Sequence, residues 1–249
     1  MSKISSLIRA AGGKQRFTSA VILAAGSGSR FSDDRAKQFI EIAGEPVLVR
    51  SVRAFEECEW IQEIVVVTRR ADIEGCRNLL KGRELNKVTR IVAGGDTRQE
   101  SARFGFEAVN PACEYVAIHD AARCLVTPEM IEAALDSAYR TGAAACGTRA
   151  VDTVKKTNGA DTVTETLDRD NIWMIQTPQV FLANLYRAAV YTAEKEKFLG
   201  TDDCSLCERL GFSVQMVECG RTNMKITYPE DAVIAEAILE AWKRKADTE

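Results

Sequence analysis

The chain has 249 residues, enough for one α/β domain with a sizeable core, and its 46% hydrophobic content is that of a globular rather than a disordered protein. A net charge of -3 gives no global positive field for nucleic acid, so any phosphorylated ligand must be met by locally gathered cations. No apolar run approaches the ~20 residues of a membrane span, and eight scattered cysteines with one histidine offer no zinc set.

The first nineteen residues, Met1–Ser19, carry Lys3, Arg9, Lys14 and Arg16 and no acid. They lack the apolar core of a secretory signal. They read as a flexible extension ahead of a domain at 20–245, and the protein is expected in the cytoplasm. An organelle transit peptide has a similar composition.

Val21–Gln38 reads VILAAGSGSRFSDDRAKQ. Ala20–Ala25 is a buried-strand candidate. Ala24, Ala25, Gly26 and Gly28 have little or no side chain, so the backbone there can approach a ligand closely. Consecutive N–H groups in such a loop make an anion-binding concavity, and Arg30 and Lys37 bring full charges to phosphate oxygens. Phe31 stands where a dinucleotide fingerprint needs its third glycine. Lys37 is followed by Gln38, not by the Ser or Thr of a Walker A loop. On the glycines alone, an ordinary turn after a first strand reads the same way.

Further strands are expected at Glu63–Thr68, Thr89–Ala93, Tyr115–His119 and Ala143–Arg149. Helices are expected around Val47–Glu57, Asp72–Lys81, Arg98–Val109 and Pro128–Thr141, the last with Thr127 as N-cap and Pro128 in the first turn. This alternation implies a single Rossmann-like α/β domain with a mostly parallel twisted sheet and helices on both faces. Ligands of such sheets bind beyond the carboxyl ends of the strands, which puts the glycine loop and His119, Asp120 and Arg123 on one rim.

Val151–Asp168 departs from that pattern. Asn158-Gly159 between Thr- and Val-rich arms is a hairpin signal. A lone hairpin is not stable in water, so this protruding arm is expected to lie on a second copy of the chain. Next come Trp173–Phe181, with Thr177-Pro178-Gln179 as a loop, and a helix near Leu185–Glu196. Cys204 and Cys207 form a C-x-x-C with no second pair, which reads as structural. All the cysteines are expected as reduced thiols. Ser213–Val217 and Met224–Thr227 read as short strands. Pro229–Lys243 reads as a helix with Val233, Ile234, Ala237, Ile238 and Ala241 on its buried face.

Six segments in order then resemble one family: AAGSGSRF…AKQF, GGDTRQES at Gly94–Ser101, HDAAR at His119–Arg123, DTVK at Asp152–Lys155, TPQ at Thr177–Gln179 and NMKIT at Asn223–Thr227. The chain resembles the cytidylyltransferases acting on 2-C-methyl-D-erythritol 4-phosphate. The related ribitol-5-phosphate cytidylyltransferases share several of these motifs, and the double alanine of HDAAR is closer to the erythritol enzymes. A nucleotide-binding relative that has lost catalysis is a third reading, opposed by the full cation set. An NAD-dependent oxidoreductase fails at Phe31.

The resemblance implies transfer of CMP from CTP to a sugar-alcohol phosphate, with Mg²⁺, in a homodimer joined through the arm. It implies that Ala24, Ala25, Gly26 and Gly28 wrap CTP, and that Gly95, Asp96 and Ser101 recognise its base. Asp120 is implied at the ribose and metal. Arg30 and Lys37 are implied to stabilise the transition state, with Arg169 and Lys225 holding the sugar phosphate. Thr153, Arg123 and Thr177 complete the acceptor side, Thr153 in the neighbouring subunit's site. The family commonly has proline where Ala36 and Cys124 stand. Proline fixes φ, so these departures bear on loop rigidity rather than on the chemistry. That chemistry is attack by an acceptor that is already an anion. It needs no general base, so His119 is expected to be a structural strand-end residue.

Overall fold

A computed structural model describes residues 16–26 and 39–248. Its first strand, β1 (Thr18–Ala24), is buried over its whole length. Alternation along it sends Ala20, Ile22 and Ala24 into one apolar cluster and Val21 and Leu23 into another. A strand with two apolar faces needs cover on both, and the helices supply it. A short ribbon, β2 (Glu41–Ile42) and β3 (Glu45–Pro46), leads into the helix Val47–Glu57, which packs on the first face. After β4 (Glu63–Thr68), the helix Ile73–Leu80 joins it there.

Beyond β5 (Val88–Ala93), the helix Arg98–Glu107 covers the opposite face. Gly105 lets it sit close, because a Cβ there would collide with Val21 and Val67 of the sheet. Then come β6 (Tyr115–Asp120), the helix Pro128–Thr141 and β7 (Ala143–Arg149). Thr127 caps that helix through its side chain, and Gly142 ends it at φ 87°, the left-handed conformation that glycine tolerates.

The arm is β8 (Lys155–Thr157) paired antiparallel with β9 (Val163–Thr166). Asn158 shapes its turn by accepting the Ala160 and Thr162 N–H groups. Every residue from Lys155 to Thr166 is exposed. The chain continues with β10 (Trp173–Leu182), the helices Ala183–Lys195 and Asp203–Arg209, β11 (Gln215–Glu218) and the helix Pro229–Ala246.

The seven-stranded sheet runs β11-β7-β10-β6-β1-β4-β5. Only β10 is antiparallel to its neighbours. The α/β architecture read from the sequence is therefore present, arm included.

Four local expectations are corrected. Thr177-Pro178-Gln179 is not a loop outside the sheet. It lies within β10, where the register shifts between Ile175 and Gln179; the Thr177 side chain meets β6 and that of Gln179 meets the start of the helix Asp203–Arg209. Met224–Thr227 forms no strand. It is held instead by Ile226 N–H donating to Ala122 O and by side chains around Asn223. The last helix buries Ala235, with Ala232, Ile238, Leu239 and Trp242 packed alongside. Val233 and Ile234 face solvent, at 69% and 49% exposure, because the cluster of Ile42, Val47, Leu125 and Ile226 is small and lies on the other side.

Finally, Cys146 and Cys219 are joined as a disulfide with Cα atoms 5.5 Å apart, against the expectation of free thiols throughout. They are 73 residues apart in sequence, and the pairing of β11 with β7 sets them side by side. Cys204 and Cys207 are buried in the core, as expected of a structural pair. Burial pushes the Cys207 thiol up to about 12.

Candidate active site

β1, β4, β5 and β6 run parallel, so the loops after Ala24, Ala93 and Asp120 leave the sheet on one rim. Antiparallel β10 brings Gln176 and Thr177 to that same rim. The Asp120 N–H donates to Thr177 Oγ1 at 3.0 Å.

The two loops assigned to the nucleotide meet there. A Cβ on Gly94 would stand 2.6 Å from Ala25 Cβ and 2.6 Å from Ser101 Oγ. Only glycine permits that approach, so the Ala25 side chain lies directly against the Gly94 backbone. Ser101 Oγ accepts the Gly95 N–H at 3.2 Å and donates to Thr97 O at 2.9 Å. Glu100 accepts the Asp96 and Thr97 N–H groups while Thr97 caps the helix, a reciprocal capping box. The turn is thus built by the helix that follows it, and Asp96 stays exposed at its tip.

A charge cluster sits beside the turn. Asp120 Oδ1 accepts from Arg98 Nε at 3.0 Å, and its Oδ2 accepts from Lys225 Nζ at 2.7 Å. Arg98 Nη1 also donates to Asp203 Oδ2 at 2.7 Å. Burial alone would raise the Asp120 pKa. Arg98 and Lys225, with a smaller contribution from Arg123, outweigh it and hold the carboxyl well below its ordinary value. Asp120 is therefore an anion at neutral pH. Lys225 keeps a side-chain exposure of 40%, which leaves its ammonium accessible from solvent.

Arg123 is used differently. Its Nη1 donates to Asn223 O at 2.9 Å, so it braces the segment that presents Lys225. Asn223 Nδ2 donates to Gln176 Oε1 and to Thr177 O. His119 is fully buried, its Nδ1 bonded to Thr177 Oγ1 at 3.0 Å and its ring tilted against Phe55. Burial pushes its pKa down to about 3. This is a neutral packing residue, as the sequence suggested.

The structure thus gathers Ala24, Ala25, Gly26, Gly95, Asp96, Ser101, Asp120, Arg123, Thr177 and Lys225 on one rim. Thr153 and Arg169 stand apart, exposed at the root of the arm, with Arg169 Nη1 donating to Val151 O at 2.9 Å. Within one chain, no described hydrogen bond joins Arg169 to Asp120 or Lys225. Gly28, Arg30 and Lys37 lie outside the described residues. Sequence reading passed over Arg98, which lay in plain view inside GGDTRQES, and Asp203, which is 105 residues from it. Adjacency of that kind leaves no mark in a sequence.

Comparison with known proteins bears on what the rim does. The IspD family, 2-C-methyl-D-erythritol 4-phosphate cytidylyltransferase, matches residues 18–241. A protein of that name from Caldanaerobacter subterraneus subsp. tengcongensis is 48% identical over 222 residues, covering 89% of this chain and 98% of its own. One from Halalkalibacterium halodurans is 41% identical over 227 residues, covering 91% and 99%. Among solved structures, the 4-diphosphocytidyl-2C-methyl-D-erythritol synthase of Anaerococcus prevotii aligns with a TM-score of 0.82 at 30% identity, over 91% of this chain and 97% of that one.

Proposed function

The chain belongs to the 2-C-methyl-D-erythritol 4-phosphate cytidylyltransferase family, and on that premise we propose how its residues divide the transfer of CMP from CTP to 2-C-methyl-D-erythritol 4-phosphate. The products are 4-diphosphocytidyl-2-C-methyl-D-erythritol and pyrophosphate. An acceptor phosphate oxygen forms a bond to the α-phosphorus as the bond from that phosphorus to the β-phosphate oxygen breaks. The nucleophile arrives already ionised, so no side chain has to remove a proton.

The barrier is repulsion between two anions. Each pair of unit charges brought to ~4 Å costs about 4 kcal/mol at an effective dielectric of 20. Fixed cations offset that cost and then stabilise the charge that builds on the crowded phosphorus. We assign Arg30 and Lys37 to the triphosphate and Lys225 to the acceptor phosphate. The backbone of Ala24–Gly28 cradles the nucleotide, and Gly95, Asp96 and Ser101 receive the base. Arg123 and Thr177 hold the acceptor side, Arg123 through the Lys225 segment that it braces. The observation that carries this reading is the contact of Ala25 with the Gly94–Ser101 turn beside ionised Asp120.

Mg²⁺ uses one or two carboxylates together with substrate phosphates. Asp120 supplies one such carboxylate, and the described residues contain no cluster of three candidate ligands. That donor set fits a metal held mainly by the nucleotide. Bound there, it would supply positive charge to the triphosphate.

We further assign Thr153 and Arg169 to the partner's site in a homodimer. The fully exposed arm supports this, as do Val151, Val163, Met174 and Ile175, each at least 40% exposed on or beside it. We take 20–245 as one catalytic domain. No helix among the described residues is long and apolar enough to cross a membrane, and we place the enzyme in the cytoplasm. The test of the function is pyrophosphate release from CTP with 2-C-methyl-D-erythritol 4-phosphate, run against D-ribitol 5-phosphate. Faster release with ribitol phosphate would reassign the acceptor.

A further inference from the structure

Asp203 belongs to none of the family motifs read above, yet its side chain is 1% exposed and it is tied on three sides. Tyr186 Oη donates to its Oδ1 at 2.6 Å and Arg98 Nη1 to its Oδ2 at 2.7 Å. Its backbone N–H donates to Gln179 Oε1 at 3.0 Å. Tyr186 is itself fixed, stacked on Phe181 with centroids 5.2 Å apart and set edge-on to Phe106 at 5.0 Å. A rigid line of contacts therefore runs from the aromatic core through Asp203 and Arg98 to Asp120 and Lys225.

The geometry of Arg98 gives that line a purpose. A guanidinium facing a lone carboxylate tends to engage both oxygens with two parallel N–H donors. Here Arg98 gives Asp120 only Nε: Nη1 anchors the guanidinium on Asp203, and Nη2, the donor parallel to Nε, makes no hydrogen bond to Asp120. Asp120 Oδ2 is left to Lys225 and to whatever enters the rim. We propose that Asp203, anchored by Tyr186, is a positioning residue that keeps Arg98 from closing on both oxygens of Asp120 and so keeps one carboxylate oxygen and the Lys225 ammonium available to the reactants. This rests on the assignment of Asp120 to the nucleotide site.

The test uses the full-length enzyme. Asp203→Asn leaves an oxygen for Tyr186 but removes the charge that holds Arg98. Steady-state kinetics should show kcat/KM for CTP reduced by ~10- to 100-fold, the scale of a small misplacement in a reacting site. Tyr186→Phe keeps the rings and loses one hydrogen bond, and should lower the same parameter about threefold to tenfold. It also decides the matter should Asp203→Asn fail to fold. The decisive readout is a kinetic double-mutant cycle with Arg98→Lys. If Asp203 acts through Arg98, adding Asp203→Asn to Arg98→Lys costs little more than Arg98→Lys alone.

Additive losses, or unchanged kcat and KM in folded Asp203→Asn and in Tyr186→Phe, would overturn the proposal. Asp120→Asn serves as the control. Full activity there would instead remove the nucleotide-site assignment on which the proposal stands.

Discussion

Lys225 Nζ lies 2.7 Å from Asp120 Oδ2, across 105 residues of chain. The lysine side is half open to solvent, at 40% exposure, and the buried carboxylate keeps Arg98 as a second partner, so the lysine's own contribution to stability is about 1 kcal/mol. Its value is therefore positional. Lys225→Ala should raise KM for the sugar phosphate, and Arg169→Ala should do the same. Tm for Lys225→Ala should stay within a few degrees of the parent, as expected for a loss near 1 kcal/mol in a chain of this size. An unchanged KM in both variants would remove them from the acceptor site.

How much of this was legible in the sequence depends on the range of the signal. Val47–Glu57, Glu63–Thr68, Pro128–Thr141 and Ala143–Arg149 have the expected bounds, because local periodicity and capping specify them. Thr177-Pro178-Gln179 looked like a loop because proline cannot donate to a ladder. The strand accommodates it with a register shift, and Gln179 gains partners on the Asp203 helix. The buried face of the last helix was misread, since a 3.6-residue period fits more than one stripe of an alanine-rich helix and only the position of Ile42 and Ile226 chooses between them. The charge cluster was half legible. Asp120 and Lys225 each announce themselves in a motif, but Arg98 and Asp203 acquire their role only when the helix starting at Arg98 docks on the sheet.

Arg30 and Lys37 flank the glycine loop in sequence, outside the described residues. On their proposed role as charge donors to the transition state, each should matter to kcat far more than to folding. Removal of one preorganised donor typically costs ~10²–10³ in kcat. Arg30→Ala and Lys37→Ala should show that loss with an unchanged circular dichroism spectrum. Turnover close to the parent in either variant would contradict its assignment.

His119 makes the fold acid-sensitive. Its pKa is pushed down to about 3 by burial, whereas an unfolded histidine titrates near 6.5. Between those values the unfolded chain binds the additional proton. Stability therefore rises with pH across the window and is lost as pH falls below 6.5. From pH 7 to pH 5 this residue alone removes about 2 kcal/mol. Asp120 acts in the same sense at lower pH, because its depressed pKa gives stability that is present above the ordinary carboxylate range and lost beneath it. Urea unfolding of the parent and of His119→Gln at both pH values checks this. The variant should lose about 2 kcal/mol less on acidification, and equal losses would refute the account.

The arm makes the sharpest claim about assembly. If Arg169 serves the partner's site while Lys225 serves its own, the two belong to one active site but to different chains. Arg169→Ala and Lys225→Ala homodimers should each be impaired. Unfolding and refolding an equal mixture makes about half of the dimers heterodimers. In each heterodimer one site draws Lys225 from the Arg169→Ala chain and Arg169 from the Lys225→Ala chain, and so is intact. The other site lacks both. Activity should therefore recover to about a quarter of the parent level. If both residues served the same chain's site, no combination of the two variants could restore one, and mixing would yield only the average of the impaired enzymes. Deleting Asp152–Thr166 should abolish the dimer in sedimentation, and an unchanged mass would show that the subunits meet elsewhere.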